Sequence, residues 1–66
     1  MNKNALRSHM ARYGDSNQTL GKALGKSQQA VSGKINSKRK FTLDEIKIIS
    51  KRYNLSMDDV HEIFFA

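Results

Sequence analysis

The sequence predicts an all-α protein of five short helices with no β-sheet. Apolar residues recur at helical spacing, N-cap residues and glycines separate the apolar segments, and no useful stretch alternates with period two. The chain has 66 residues, which is enough for one domain with a small core. We therefore expect a single compact domain over residues 1–66.

Small polar residues and glycines divide the chain into five helical segments. The first three are predicted at residues 4–13, 18–24 and 28–36, the fourth after Thr42 and the fifth after Ser56. Ser27, Thr42 and Ser56 are the expected N-caps, because their hydroxyl groups can accept free N–H groups of the first turn. The expected left-handed stops are Gly14, Gly25 and Asn54.

Each segment carries an apolar stripe that we expect to contribute to the core. The stripe residues are Leu6, Met10, Tyr13, Leu20, Ala23, Leu24, Val31, Ile35, Leu43, Ile46, Ile49, Tyr53, Val60, Ile63 and Phe64. Phe41 can pack onto Ile46 across the N-cap Thr42, where Glu45 completes a capping box. Ile48 falls off the stripe and is expected to face the last helix or a partner.

Positive charge is concentrated in one part of the chain. Residues 1–40 contain nine Lys and Arg residues and one acid, Asp15, whereas residues 41–66 contain three basic and five acidic residues. The net charges of the two parts are therefore +8 and −2. So basic a surface attracts polyanions such as nucleic acid, although a solvated surface without a ligand has the same composition.

Residues 17–36 have the spacing of two short helices joined by a three-residue turn. Leu20 and Leu24 lie one turn apart and can anchor the first helix in the core. Gly21 falls where the helices must cross, so a larger side chain there would separate them. Gly25 lets the chain reverse with a positive φ. The pattern predicts a helix-turn-helix unit.

The third segment has a polar face without long cationic side chains. Four neutral hydrogen-bonding residues share this face: Gln28, Gln29, Ser32 and Asn36. They project within about 100° of one another on a helix of 3.6 residues per turn. Gln can form two hydrogen bonds with the edge of adenine, so this composition is typical of side chains that contact bases. Cations around the face can neutralise phosphates. They are Lys26, Lys34, Lys38, Arg39 and Lys40.

This segment resembles the helix-turn-helix of phage Cro and repressor proteins, the XRE-type family. The matching residues are Leu20-Gly21, Leu24-Gly25, Ser27-Gln28-Gln29, Val31-Ser32 and Ile35. Residues 41–46 and 53–60 resemble the fourth and fifth helices of the same domains, so the resemblance covers about residues 5–65. Two positions depart from the family pattern, because Gly21 replaces the more usual Ala and Lys34 lies where many members have an apolar residue.

The resemblance implies a lambda-repressor-like fold that binds double-stranded DNA at a pseudo-palindromic operator. The implied base contacts are Gln28, Gln29, Ser32 and Gly33, the last through its backbone alone. The resemblance implies a phosphate contact at Gln18, and the full set of expected phosphate contacts is Gln18, Lys26, Ser27, Lys34, Asn36, Lys38, Arg39 and Lys40. Transcriptional repression of the Cro kind and a cytoplasmic, nucleoid-associated location in a bacterial cell are further implications.

One recognition helix contacts few base pairs, so two copies are expected on the DNA. Phe64 and Phe65 are the candidate contacts of a weak homodimer, in solution or only on DNA. Phe65 could equally cover the domain's own core.

Enzymatic, metal-binding and membrane functions are disfavoured. The chain has no Cys, no apolar run near the ~20 residues of a membrane span, and no apolar stretch in its first 30 residues that would indicate a signal peptide. His9 and His61 have no companion ligands, and the acidic residues near the fifth segment are expected to complement its helix dipole. We expect no catalytic residue, metal, cofactor or small-molecule substrate.

Other functions stay open at this point. The chain could be an antirepressor or protein-interaction module that binds a larger repressor through its apolar C-terminal helix. RNA binding is disfavoured, because the basic part has no aromatic stacking residue beyond Tyr13. Salt dependence distinguishes DNA binding from the antirepressor function, since a protein that binds in a DNA groove loses affinity for duplex DNA steeply as the salt concentration rises.

Overall fold

Five α-helices and a terminal π-helical turn make up the computed structural model, which describes all 66 residues. The elements are α1 (Lys3–Arg12), α2 (Asn17–Leu24), α3 (Gln28–Ile35), α4 (Leu43–Arg52), α5 (Met57–Val60) and the π-helical turn His61–Phe65. No β-strand is present, so the prediction of an all-α, five-helix domain is confirmed. The last predicted segment differs in detail, because its α-helix widens into the π-helical turn after four residues.

Most helices begin where the predicted side chain accepts a free N–H group. Ser27 accepts the Ala30 N–H at 3.1 Å, which confirms it as the N-cap of α3. Thr42 accepts the Glu45 N–H at 3.1 Å while Glu45 Oε1 accepts the Thr42 N–H at 2.8 Å, so the predicted capping box is present. Ser56 caps α5 as predicted. These bonds fix the helix starts from local chemistry.

Left-handed residues end the helices where they were predicted. Gly14, Gly25 and Asn54 have φ values of 71°, 68° and 51°. Ser37, in the loop after α3, also has a positive φ of 64°, which the sequence did not indicate. This loop therefore changes direction immediately after the third helix ends.

Ten buried apolar side chains form one core between the helices. They are Leu6, Met10, Leu20, Leu24, Val31, Ile35, Phe41, Ile49, Tyr53 and Ile63. Val31 and Ile35 are 0% and 1% exposed, which confirms that they pin α3 to the core. Ile46 and Phe64 lie at its edge, where they are partly buried.

Two residues predicted for the core are largely exposed. Leu43 is 70% exposed, because it projects about 60° outside the arc that Ile46, Ile49 and Tyr53 cover on α4. Tyr13 is 48% exposed, because α1 ends before it. The Tyr13 hydroxyl donates to the Tyr53 carbonyl oxygen at 3.0 Å, so the ring still links α1 to the end of α4.

A buried carboxylate that the sequence did not single out joins the start of α2 to the end of α4. The Asp15 side chain is 4% exposed and accepts hydrogen bonds from Arg52 at 2.6 and 2.7 Å. It also accepts from the Tyr53 hydroxyl at 2.7 Å and the Thr19 hydroxyl at 2.8 Å. Because all four bonds converge on one side chain, Asp15 fixes where α2 begins relative to the core.

Gly21 lies where α2 packs against the turn and the start of α3. A Cβ added to Gly21 would lie 2.7 Å from the Lys26 carbonyl oxygen and 3.4 Å from Val31 Cγ2. The Lys26 N–H in turn donates to the Gly21 carbonyl oxygen at 2.8 Å, which closes the turn between the helices. This confirms that position 21 lies at the crossing and explains the departure from the usual Ala, because the turn leaves no room for a methyl group.

Gly21→Ala should lower the free energy of unfolding by up to about 2 kcal/mol, because overpacking costs about 1–3 kcal/mol and better helix propensity returns about 1 kcal/mol. Gly33→Ala is the matched control, since no heavy atom lies within 4 Å of its added Cβ. The control should gain up to about 1 kcal/mol. Urea unfolding measures both variants, and equal stabilities would contradict the close crossing.

The free energy of unfolding should fall at low pH as the Asp15 carboxylate takes up a proton. Hydrogen bonds from Arg52 hold the pKa of the Asp15 carboxyl well below its usual range. The ionised carboxylate therefore contributes stability above the unfolded pKa of about 3.9, and this contribution is lost as the pH falls from there towards the lower pKa of the folded chain.

Asp15→Asn should cost about 1–3 kcal/mol at neutral pH, because it weakens bonds to buried partners. It should also flatten the loss of stability below about pH 4. Thermal unfolding across this pH range measures both effects. An acid dependence as steep as in the wild type would show that other carboxyl groups control it.

Candidate nucleic-acid interface

The helix-turn-helix unit consists of α2, the turn at residues 25–27, and α3. Leu20, Leu24 and Val31 are buried where the two helices pack together. The first turns of both helices reach the surface, where Gln18 and Gln28 are exposed. The unit therefore presents two helix N-termini to solvent, each with a glutamine in its first turn.

One face of α3 is buried and the other is polar. Val31, Lys34 and Ile35 are buried, and they lie at about 300°, 240° and 340° around the axis when Gln28 is set at 0°. Gln28 and Gln29 are exposed and project at about 0° and 100°. Gln29 therefore points away from the core, whereas Gln28 lies about 20° from Ile35 and is exposed because it is the first residue of the helix.

Ser32 and Asn36 lie on the same side of α3 as the glutamines. Ser32 is half-buried and Asn36 is exposed. Asn36 Nδ2 lies 3.5 Å from Ser32 Oγ, a distance at the limit of a hydrogen bond. The side-chain hydrogen bonds of α3 include no bond to Gln28 or Gln29. The amides of both glutamines are thus available to a ligand.

Gly33 is a helical glycine that the fold itself does not require. No heavy atom lies within 4 Å of the position that a Cβ would take there, although a glycine inside a helix costs about 1 kcal/mol relative to Ala. Gly33 projects at about 140°, next to Gln29 on the exposed side. The missing side chain leaves open space beside the polar face.

Four exposed cations flank α3. Lys26 lies in the turn before the helix, and Lys38, Arg39 and Lys40 lie in the loop after it. Neither ion pair of the structure involves any of the four. The structure thus places free positive charge at both ends of the polar face, where a polyanion can be neutralised.

Two neutral residues predicted to contact phosphates lie at the helix N-termini. Gln18 is exposed in the first turn of α2. The Ser27 hydroxyl accepts the Ala30 N–H as a cap, and its own proton stays available for donation. Helix N-termini favour anions, because their free N–H groups and the helix dipole act together.

Lys34 does not lie with the other predicted phosphate contacts. Its side chain is 11% exposed, and its ammonium group donates to both carboxylate oxygens of Glu45 at 2.5 Å. We therefore correct the expectation that Lys34 contacts a phosphate, because its charge is buried and already neutralised. Its angular position beside Val31 was the sequence signal of burial, and sequence reasoning passed over it.

Glu45 serves α3 and α4 at once. Burial raises the pKa of the Glu45 carboxyl, but hydrogen bonds from Lys34 and from the Thr42 backbone outweigh burial and bring the pKa below its ordinary value. The carboxylate is therefore ionised at neutral pH. It caps α4 and neutralises Lys34 with the same side chain.

The two C-terminal phenylalanines differ in their surroundings. Phe64 is partly buried against the core, and its ring meets the edge of Phe41 with centroids 5.7 Å apart. Phe65 is 58% exposed and does not cover the core. Of the two candidate dimer contacts, Phe65 is the accessible one.

The chain matches a family model described as helix-turn-helix over residues 6–60. The match extends from α1 into α5 and includes the whole of α2, the turn and α3. Comparison with curated proteins gives no match, and comparison with solved structures gives none either.

The helices are all too short, and their sequences too polar, for any of them to cross a membrane.

Proposed function

The chain belongs to the helix-turn-helix family of Cro- and repressor-type DNA-binding domains, and from this we propose that it binds specific double-stranded DNA sequences through α3. Members of the family bind double-stranded DNA and regulate transcription; they are not enzymes. The observation that carries the proposal is the exposed, unbonded glutamine pair on α3, with one free cation before the helix and three after it.

We infer that α3 enters the major groove with its N-terminal end against the base edges. An α-helix with its side chains is about 10–12 Å in diameter, which fits the width of the major groove. Gln28 and Gln29 can each bond the N6 and N7 atoms of an adenine, and Ser32 can donate or accept. Gly33 would let the helix backbone approach a base closely.

Phosphate contacts would set the position of α3 without selecting a sequence. The proposed phosphate contacts are Gln18, Lys26, Ser27, Asn36, Lys38, Arg39 and Lys40. Gln18 and the N-terminus of α2 would meet the backbone on one side of the groove, and the cationic loop would meet it near the other end of α3. This arrangement places a neutral face over the bases and positive charge over the phosphates.

A Cro-like repressor role follows if two copies bind one operator and exclude polymerase. Two copies on a pseudo-palindrome would place their recognition helices about 34–36 Å apart, on the same side of the duplex. Phe65 supports a weak contact between copies, since it is exposed near the C-terminus. Phage or prophage origin belongs to the same proposal.

A second candidate function is protein interaction through the C-terminal part, as in an antirepressor. It is favoured by a shallow apolar groove of about 430 Å³ between α4 and α5, lined in part by Ile48, Leu55 and Met57. Met57 is 85% exposed beside it. A protein of this kind would bind its partner with little affinity for duplex DNA at any salt concentration.

Gln28→Ala should relax the preference at one operator position and cost about 1–3 kcal/mol on the preferred duplex. The reason is that the amide can bond two atoms of one base edge. Selection of bound duplexes from a random library, followed by titration of wild type and variant, measures both effects.

Gln18→Ala is the matched control for Gln28→Ala, because it removes an equally exposed glutamine from the first turn of a neighbouring helix. It should weaken all sequences alike, as expected of a phosphate contact. If Gln28→Ala also weakens all sequences equally, Gln28 does not contact a base.

Lys38→Ala should weaken binding to every sequence and reduce the dependence of log affinity on log salt by about one. The loss of one phosphate contact releases one counterion fewer. Lys47→Ala provides the control, because Lys47 is an exposed lysine of α4 in the acidic part of the chain. An unchanged salt dependence for Lys38→Ala would remove this residue from the interface.

A further inference from the structure

We propose that Lys34 and Glu45 are positioning residues that hold the cationic loop, residues 36–41, in register with the base-contacting face of α3. The inference rests on the proposed DNA binding and goes beyond it, because neither residue would touch DNA. It assigns a role to Lys34, the one lysine within α3, whose charge is paired with Glu45.

The pair joins the two ends of the loop. Lys34 lies in the last turn of α3 and Glu45 in the first turn of α4. The two ammonium–carboxylate hydrogen bonds are each 2.5 Å long, and Glu45 also accepts the Thr42 N–H at 2.8 Å. One carboxylate thereby fixes the end of the recognition helix, the end of the loop and the start of α4 relative to one another.

The loop itself has few other fixed points. Its first residues are tied to α3, since the Ser37 N–H donates to the Lys34 carbonyl oxygen at 3.1 Å and the Lys38 N–H donates to that of Gly33 at 2.9 Å. Phe41 is buried at its other end. The exposed residues between these points carry the charges that would meet phosphates. Where those charges lie therefore depends on how far apart the two helix ends are held.

An ion pair fixes this separation more narrowly than apolar contact would. Hydrophobic burial is non-directional, whereas a buried charge must stay in contact with its partner to offset its desolvation. Lys34 Nζ also lies 5.9 Å from the centroid of the Phe41 ring, which places the pair directly against the buried end of the loop. A buried pair that fixes structural register is an established use of such groups.

Glu45→Gln tests the proposal and keeps the cap of α4, since Gln also suits this position of a capping box. It removes the charge attraction to Lys34. Asp44→Asn is the matched control, because it makes the same charge change at the adjacent residue, which is exposed and forms no ion pair. The probe is a ~20-base-pair duplex that the wild-type protein selects from a random library, titrated at several salt concentrations.

The positioning role predicts that Glu45→Gln binds about tenfold more weakly than Asp44→Asn despite their equal net charge, with a salt dependence lower by about one. It further predicts that Arg39→Ala costs less affinity in the Glu45→Gln background than in the wild type, because Arg39 lies between the fixed points of the loop and is no longer held at its phosphate. A role in stability alone would change neither quantity in the folded protein.

Each of the following results would overturn the inference. Binding by Glu45→Gln equal to that of Asp44→Asn, with an undiminished Arg39 contribution, would leave the pair only a structural role. Tighter binding by Glu45→Gln would show that a released Lys34 contacts phosphate itself. A wild-type protein that binds no duplex at low salt would overturn the proposed function and this inference together.

The double variant Lys34→Met/Glu45→Gln keeps the test decisive if the single variant does not fold. It retains the capping box and the net charge of the wild type, and it leaves no buried charge without a partner. Circular dichroism establishes that it is folded. Wild-type affinity and salt dependence in this variant would also overturn the positioning role.

Discussion

The close crossing of α2 and α3 is the constraint on which the rest of the structure depends. A Cβ on Gly21 would lie 2.7 Å from the Lys26 carbonyl oxygen in the turn and 3.4 Å from Val31 Cγ2 on α3, so the missing side chain lets the turn and α3 pack closely on α2. That approach sets Val31 into the core at 0% exposure. With the buried side of α3 fixed in this way, Gln29 projects on the opposite side, and Gln28 is exposed in the first turn.

The two ion pairs leave the charge difference between residues 1–40 and residues 41–66 unchanged. Each pair joins the basic part of the chain to α4, through Asp15 with Arg52 and through Lys34 with Glu45. Apart from Lys34, no Lys or Arg among residues 1–40 has an acidic partner. Eight of the nine basic residues in that part therefore stay free to meet a polyanion, while the acids that could have neutralised them stabilise the fold.

Features that depend on neighbouring residues were predictable from the sequence. The caps Ser27 and Thr42 and the stop Gly25 follow from bonds and backbone angles within a few residues, and such features form wherever the local chemistry allows them. The exposure of Gln29 followed equally well, because two buried residues fix the rotation of a helix. Gln28 is exposed because it is the first residue of α3. The prediction that Leu43 is buried was wrong, because Leu43 is offset by about 60° from the apolar stripe with which it was grouped.

The sequence by itself determined the helical segments, their limits and the polar face of α3, because periodicity and capping act over one or two turns. Only the tertiary structure decided the partners of the buried charges. Lys34 and Glu45 are 11 residues apart, and Asp15 and Arg52 are 37 apart. The sequence shows that such charges exist, but which of them meet depends on the angle at which the helices pack. Because of that angle, Lys34 is a buried partner of Glu45 and not the phosphate contact that the sequence predicted.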